Sequence, residues 1–301
     1  VSGGINTTLK FGKGGGNTAR SIGADKDVAF TGGGELDNGT TFSMTATTND
    51  AHGISSSTTT ITTPSYGSFS LGSSSGSASY LYDEEVPMAY EQVSDGKDTM
   101  ANKVGDFMDN NHIMYTTPTL EMMGASITGH LGYSPQATDV AVGDGASIAY
   151  SETIGVGKEA GITIAYEGLK VGFYGAERDR TVPQTAASSG MYQHDEFNGA
   201  WYAKYSAGPV SIGYSETYAD AGVTSAISTS STTTAKTRRS GGGIYTSESM
   251  SIAFNVNDNM SISYTTADET YDTQDNAKTA VTTDDDVTES IDEIQIAYSM
   301  G

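Results

Sequence analysis

The sequence predicts an all-β protein: a transmembrane, antiparallel, up-and-down β-barrel with about 14 strands. Three observations lead there. Apolar and polar residues alternate with period 2 in segment after segment, and the helical period is nearly absent. Short turns and long polar connections take strict turns along the chain. Finally, only 36% of the 301 residues are hydrophobic, with mean hydropathy −0.35, so a conventional core for this length would be thin.

In the first segment Val1, Ile5, Leu9 and Phe11 share a face, with Asn6, Thr8 and Lys10 opposite. Val28 and Phe30 then alternate with Ala29 and Thr31. The "LDNG" at 36–39 is a tight-turn signal, because Asn-Gly accepts the positive φ angles of a two-residue hairpin. Phe42, Met44 and Ala46 form the return strand. A weak, Thr-rich strand follows at Thr58 to Thr62, ends at "TPSYGS", and leads to Phe69 and Leu71. The segments "NHIMYTTP" (111–118) and "ASITGHLGYS" (125–134) are joined across Leu120–Gly124, and Ala125, Ile127, Leu131 and Tyr133 share a face. "GITIAY–EG–LKVGFYG" (161–175) reads as a hairpin with a two-residue turn.

In "FNGAWYAKYSAGPVSIGYSETYAD" (197–220), Phe197, Gly199, Trp201, Ala203 and Tyr205 lie on one face. Asn198, Ala200, Tyr202 and Lys204 lie on the other, and Val210, Ile212 and Tyr214 resume the first face after the turn. "MSIAFNV–ND–NMSISY" (250–264) is another hairpin, and Ile294, Ile296, Tyr298 and Met300 close the sequence on one face.

The short connections are "DNG", "SYG", "MMG", "EG", "SAGP" and "ND". The long ones are roughly 13–24, 76–110, 135–159, 180–194, 220–242 and 268–287. A meander puts all short turns at one end and all long loops at the other. A soluble sandwich has no reason to sort them so. A barrel in an outer membrane does, with its apolar face in lipid and its polar face around a lumen. Tyr166, Tyr205, Tyr214, Tyr264 and Tyr298 fall at the ends of apolar faces near short turns, where an interfacial aromatic girdle belongs. No run of about 18 apolar residues encodes a membrane-spanning helix. The net charge of −22 makes nucleic acid an unsuitable partner and favours cations. Cysteine is absent, so neither a disulfide framework nor a thiolate metal site can form.

Three stretches resemble general porins of Gram-negative bacteria, particularly alphaproteobacterial ones. They are "VAFTGGGELDNGTTFSMTAT" (28–47), "YGSFSLGS" (66–73) and "NHIMYTTPTLEMMGASITGHLGYSP" (111–135). The resemblance implies one barrel domain over 1–301, passive diffusion of small hydrophilic solutes and ions, a homotrimer, and contact with outer-membrane lipids and lipopolysaccharide. Neither an enzymatic activity nor a required cofactor is implied. Porins of this type usually have about 16 strands and end on an aromatic residue. This sequence ends "AYSMG", so either two further strands follow in the full-length protein or the barrel has about 14.

The resemblance also implies that the third long loop, 76–110, folds into the lumen and narrows it. That segment carries Asp83, Glu84, Glu85, Glu91, Asp95, Asp98, Asp106 and Asp109 against Lys97 and Lys103. Tyr82, Val86, Met88, Tyr90, Val93, Met100, Val104, Phe107 and Met108 are candidate wall anchors, and "TMANKVGDF" a candidate short helix. An acidic loop in a narrow passage favours cations. By strand parity Lys10, His130, Lys170 and Lys204 face the lumen and are candidates for an opposing basic wall. The same carboxylates would equally suit an exposed external loop. Asp284, Asp285 and Asp286 are weak candidates for Ca2+, and "KTRRS" (236–240) for lipopolysaccharide phosphates, with a solvated loop as the plainer reading of both. The Thr-rich region 54–62 is a candidate subunit interface, because threonine is a poor lipid partner. Alternatives are a substrate-specific channel of the same fold, for which Tyr174 and Tyr202 leave room, and a secreted β-rich adhesin or surface-layer protein, which would need a repeat that is not evident. An outer-membrane barrel enzyme lacks a recognisable Ser/His pair.

Overall fold

Alternation with period 2 places each strand's apolar side chains on one side, and the tight turns hold consecutive strands side by side. The computed structural model describes residues 1–11, 20–48, 53–73, 77–93, 101–104, 108, 112–135, 154–180, 194–220, 244–272 and 287–299, with the backbone alone at 4–11, 20–26, 73, 154, 180, 272 and 287. The strands are β1 (Ser2–Phe11), β2 (Arg20–Glu35), β3 (Thr41–Thr48), β4 (Ile54–Thr63), β5 (Gly67–Ser73), β6 (His112–Thr116), β7 (Leu120–Met122) and β8 (Ala125–Ser134). They continue as β9 (Ile154–Tyr166), β10 (Leu169–Arg180), β11 (Glu196–Ala207), β12 (Val210–Asp220), β13 (Ile244–Asn257), β14 (Met260–Asp272) and β15 (Val287–Tyr298). All belong to one antiparallel sheet in which neighbours in sequence are neighbours in space. The path runs from β1 to β15, and β7 pairs with β8 beside β6. β6 and β7 are two halves of one strand interrupted at Pro118, which has no N–H for the ladder.

The turns refine the sequence reading. At 36–40 the Asn-Gly pair does not form a two-residue hairpin. Gly39 N–H donates to the Leu36 carbonyl at 2.9 Å, Leu36 N–H donates to the Thr40 carbonyl at 2.8 Å, and Gly39 alone takes positive φ, +79°. This is a three-residue loop ending in a left-handed glycine. The turn expected across Leu120–Gly124 shrinks to Met123 and Gly124, because Leu120–Met122 is strand. The 257–260 turn sits one residue later than read, at Asp258 and Asn259, since a register shift between Asn255 and Asn257 absorbs Val256. β2, β9 and β14 run on into 20–24, 154–159 and 268–272, which sequence patterning had assigned to loops. No described residue of the expected helix 99–107 is helical: 101 and 102 lie in a turn, 103 and 104 are irregular, and the remainder lies outside the described residues.

The large apolar side chains point outward. Phe42, Met44, Phe69, Leu71, Leu131, Phe173, Ile212, Ile252, Phe254, Ile294 and Ile296 are all exposed. Their strand neighbours on the opposite face, such as Tyr174, Tyr202, Ser215, Ser251 and Ser263, are buried. An exposed apolar band of this extent marks a surface that meets something other than water, and in a sheet of this kind that is lipid. Tyr166, Tyr205, Tyr264 and Tyr298 stand exposed on this outer face. Tyr214 is half-buried against Trp201, and its hydroxyl donates to Glu216 at 2.7 Å.

The sheet is curled, and one segment shows it. Tyr82 contacts His130 on β8, while Tyr90 contacts Gln295 on β15. Seven interstrand spacings separate those two strands. Yet Tyr82 and Val93, near the two ends of the segment, are both fully buried on the polar face, so the strands bend around the segment and enclose it. Gly67, at φ +79°, is a sensitive point of the wall, because a Cβ there would overlap the Thr116 carbonyl of the next hairpin. Gly67→Val should lower the fraction that folds into detergent micelles, by about 1–3 kcal/mol equivalent, measured by urea titration of the barrel's electrophoretic shift.

Candidate functional site

The segment 77–93 lies in a trough that glycines prepare. Gly132 on β8, Gly161 on β9, Gly172 on β10 and Gly213 on β12 all face inward. A Cβ at Gly132 would overlap the Glu159 carboxylate, at Gly161 the Tyr82 ring, at Gly172 the Tyr202 ring, and at Gly213 the ring of Pro87. Each strand thus leaves a socket where the loop or its supporting side chain presses on the wall.

The start of the loop is held by a buried carboxylate. Ser77, Ala78 and Ser79 are buried, and a single 3-10 turn spans Ala78–Leu81. Glu159 on β9 accepts from the Ser77 hydroxyl at 2.9 Å, the Ala78 N–H at 2.9 Å and the Tyr174 hydroxyl at 3.0 Å. Burying a carboxyl group to 5% exposure is costly unless donors surround it, as these three do. Tyr82 then stacks on Tyr174, with centroids 5.4 Å apart and planes 19° apart, and hydrogen-bonds His130 Nδ1 at 2.6 Å. Glu159→Gln should speed hydrogen exchange of residues 77–82 by about tenfold or more, because bonds to a charged acceptor weaken when the charge is removed. Exchange at the wild-type rate would mean that Glu159 does not hold the loop.

Glu85 carries the next contact. Lys204 pairs with it directly, and Lys170 lies 3.9 Å away. Both ammonium groups stand over the Tyr202 ring, at 5.3 Å and 5.4 Å from its centroid. Glu84 faces Lys103 at 3.6 Å, and its own N–H donates to the Asn102 carbonyl at 2.7 Å. The loop then crosses to later strands through its backbone. Ser251 donates to the Pro87 carbonyl, and Ala89 N–H donates to Ser263 at 2.9 Å. Tyr90 N–H donates to Gln295 at 3.0 Å, and Asn102 N–H donates to Ser247 at 2.8 Å.

Tyr82, Val86, Val93, Val104 and Met108 are buried; Met88 is half-buried and Tyr90 is exposed. Met100 and Phe107 lie outside the described residues. Among the acidic candidates, Asp83, Glu84, Glu85 and Glu91 are half-buried on the inner side. Asp95, Asp98 and Asp106 lie outside the described residues, as do Asp284, Asp285, Asp286 and 236–240. Lys10 pairs with Ser21 in the β1–β2 register, and its side chain lies outside the described residues. His130, Lys170 and Lys204 all meet the loop itself. Sequence reasoning missed Glu159, although its parity with Gly161 and Thr163 carries the signal once β9 is known to start early. Among the described residues, Glu177, Asp179 and Asp195 gather carboxylate oxygens within 4.8 Å of one another, a grouping that exposed acidic side chains often make without a metal.

No protein-family model matches the chain, and no curated protein does. Solved structures do. A porin refined at 1.8 Å resolution aligns over 99% of this chain and 89% of its own, at 15% identity and a TM-score of 0.59. The loop L8 deletion mutant of OmpT, an outer membrane protein of Vibrio cholerae, aligns over 99% and 89%, at 11% identity and a TM-score of 0.58. At these identities the likeness is one of fold, and the fold is that of the porins.

Proposed function

We propose that the protein is an outer-membrane channel for passive diffusion of small hydrophilic solutes and ions, with a preference for cations. One observation carries the reading: an acid-rich loop is seated against the inner wall of a barrel whose apolar side chains point outward. Residues 76–110 hold eight carboxylates and two lysines, an excess that lowers the energy of cations in a narrow passage. No chemical step is required of the wall. A substrate-specific channel is less well supported. Tyr174 and Tyr202 do point inward, but both are buried, and Tyr82 of the loop packs against them. We further propose an alphaproteobacterial-type porin assembled as a homotrimer. Ser57 and Thr59 on the outer face of β4 interrupt the apolar band and suit a neighbouring protomer better than lipid.

Reconstitution in a planar bilayer under a potassium chloride gradient tests this directly. Stepwise conductance with a reversal potential of cation sign is expected. Absence of conductance removes the channel, and an anionic reversal potential removes the role given to the loop.

A further inference from the structure

The loop's hydrogen bonds and ion pairs described above run to β8–β15, including those of Lys170 and Lys204, which hold Glu85 on that side. The inward face of β3–β5, bordered by Thr31 of β2, forms a different part of the wall, and its chemistry is uniform. Thr31 and Thr45 bring their hydroxyl oxygens to 3.2 Å, Thr60 and Ser70 to 2.9 Å, and Thr62 and Ser68 to 2.8 Å. These are cross-strand partners in register, so the pairs form rows across adjacent strands. On β3, β4 and β5 the inward positions from 41 to 47, 56 to 62 and 68 to 72 are all Ser, Thr or Gly, whereas β2 places Asp25, Asp27 and Glu35 on the parity of Thr31. The Thr-rich strand β4 therefore splits its hydroxyls: Thr58, Thr60 and Thr62 point inward, opposite to Thr59 and Ile61.

We propose that this inner face of β3–β5, with Thr31 of β2 at its border, is an uncharged hydroxyl track that takes polyhydroxylated neutral solutes such as sugars, while ion discrimination belongs to the loop on the opposite wall. The inference rests on the channel reading given above. A hydroxyl pair consumes one hydrogen and leaves a donor and several lone pairs for exchange with a passing solute. Thr31 is exposed, and Thr45, Thr60 and Thr62 are half-exposed, so water or sugar reaches them. A wall of this kind replaces a sugar's hydration shell without binding it through charge, and it imposes no field of its own on ions.

The test uses the whole protein in liposomes and bilayers. Thr31→Val, Thr45→Val and Thr60→Val are combined, since valine keeps the branched shape and suits a strand. Potassium chloride conductance and reversal potential should stay at wild-type values. The liposome-swelling rate with a pentose, relative to that with proline, should fall about fivefold, the equivalent of one lost hydrogen bond. An unchanged pentose ratio overturns the track. A second variant, Thr60→Lys, should lower the cation-to-anion permeability ratio severalfold, because its charge would face the lumen across from the loop; an unchanged ratio also overturns the proposal. Failure of the wild-type protein to conduct would instead strike the channel reading.

Discussion

Gly161→Val should raise the single-channel conductance severalfold. The glycine lies on β9 directly beneath the Tyr82 ring, and a Cβ at that position would overlap the ring and its hydroxyl. The ring cannot tilt freely, because it is stacked on Tyr174 and hydrogen-bonded to His130. The strand cannot retreat either, since Gly161 pairs with His130 on one side and Tyr174 on the other. The loop must therefore lift, losing contacts worth about 1–3 kcal/mol. Lifting it widens the passage. A second substitution separates this from general damage: adding Tyr82→Ala removes the overlap, and the double variant should fold as well as Tyr82→Ala alone. Wild-type conductance in Gly161→Val would show that the loop is not seated where Tyr82 places it.

Ile252→Lys should have the larger effect on stability. Ile252 is exposed on β13 between Ile212 and Tyr264 of the neighbouring strands, within the outward apolar band. A lysine on the lipid face of a barrel costs about 2–4 kcal/mol near the bilayer midplane and little near its edges. Thr45→Lys, on the inner face of β3, should cost almost nothing by the same measure, because its ammonium group would sit in water. Unfolding in urea from lipid vesicles gives both values. Equal costs at the two positions would contradict the outward placement of Ile252.

Much of the fold was legible because the rule that builds it is local. Alternation along 197–220 assigns Trp201 outward and Tyr202 inward, and the structure places them so. Strand ends were less legible. The stretch "GVGKEA" (155–160) lacks an apolar face, yet hydrogen bonding to β8 and β10 continues where hydropathy stops signalling. Glu159 was lost with it. The turn at 36–40 was misassigned for another reason. Asn-Gly permits a two-residue turn but does not require one, and the register of Glu35 with Thr41 leaves five residues to accommodate. Parity correctly put Lys170 and Lys204 on the inner face, yet parity says nothing of what stands opposite them. Their partner, Glu85, lies 85 and 119 residues away in sequence, and long-range contacts of that kind leave no local pattern.

Which side of the sheet meets lipid can be read most directly by labelling, and the absence of native cysteine makes this clean. Single cysteines at Ile252 and Thr45 would carry a fluorophore in protein reconstituted in vesicles. Nitroxide-bearing lipid should quench the label at 252 and spare the label at 45, while aqueous iodide should do the reverse. Quenching by lipid at 45, or shielding of 252 from the nitroxide, would mean that the apolar side chains do not face the bilayer.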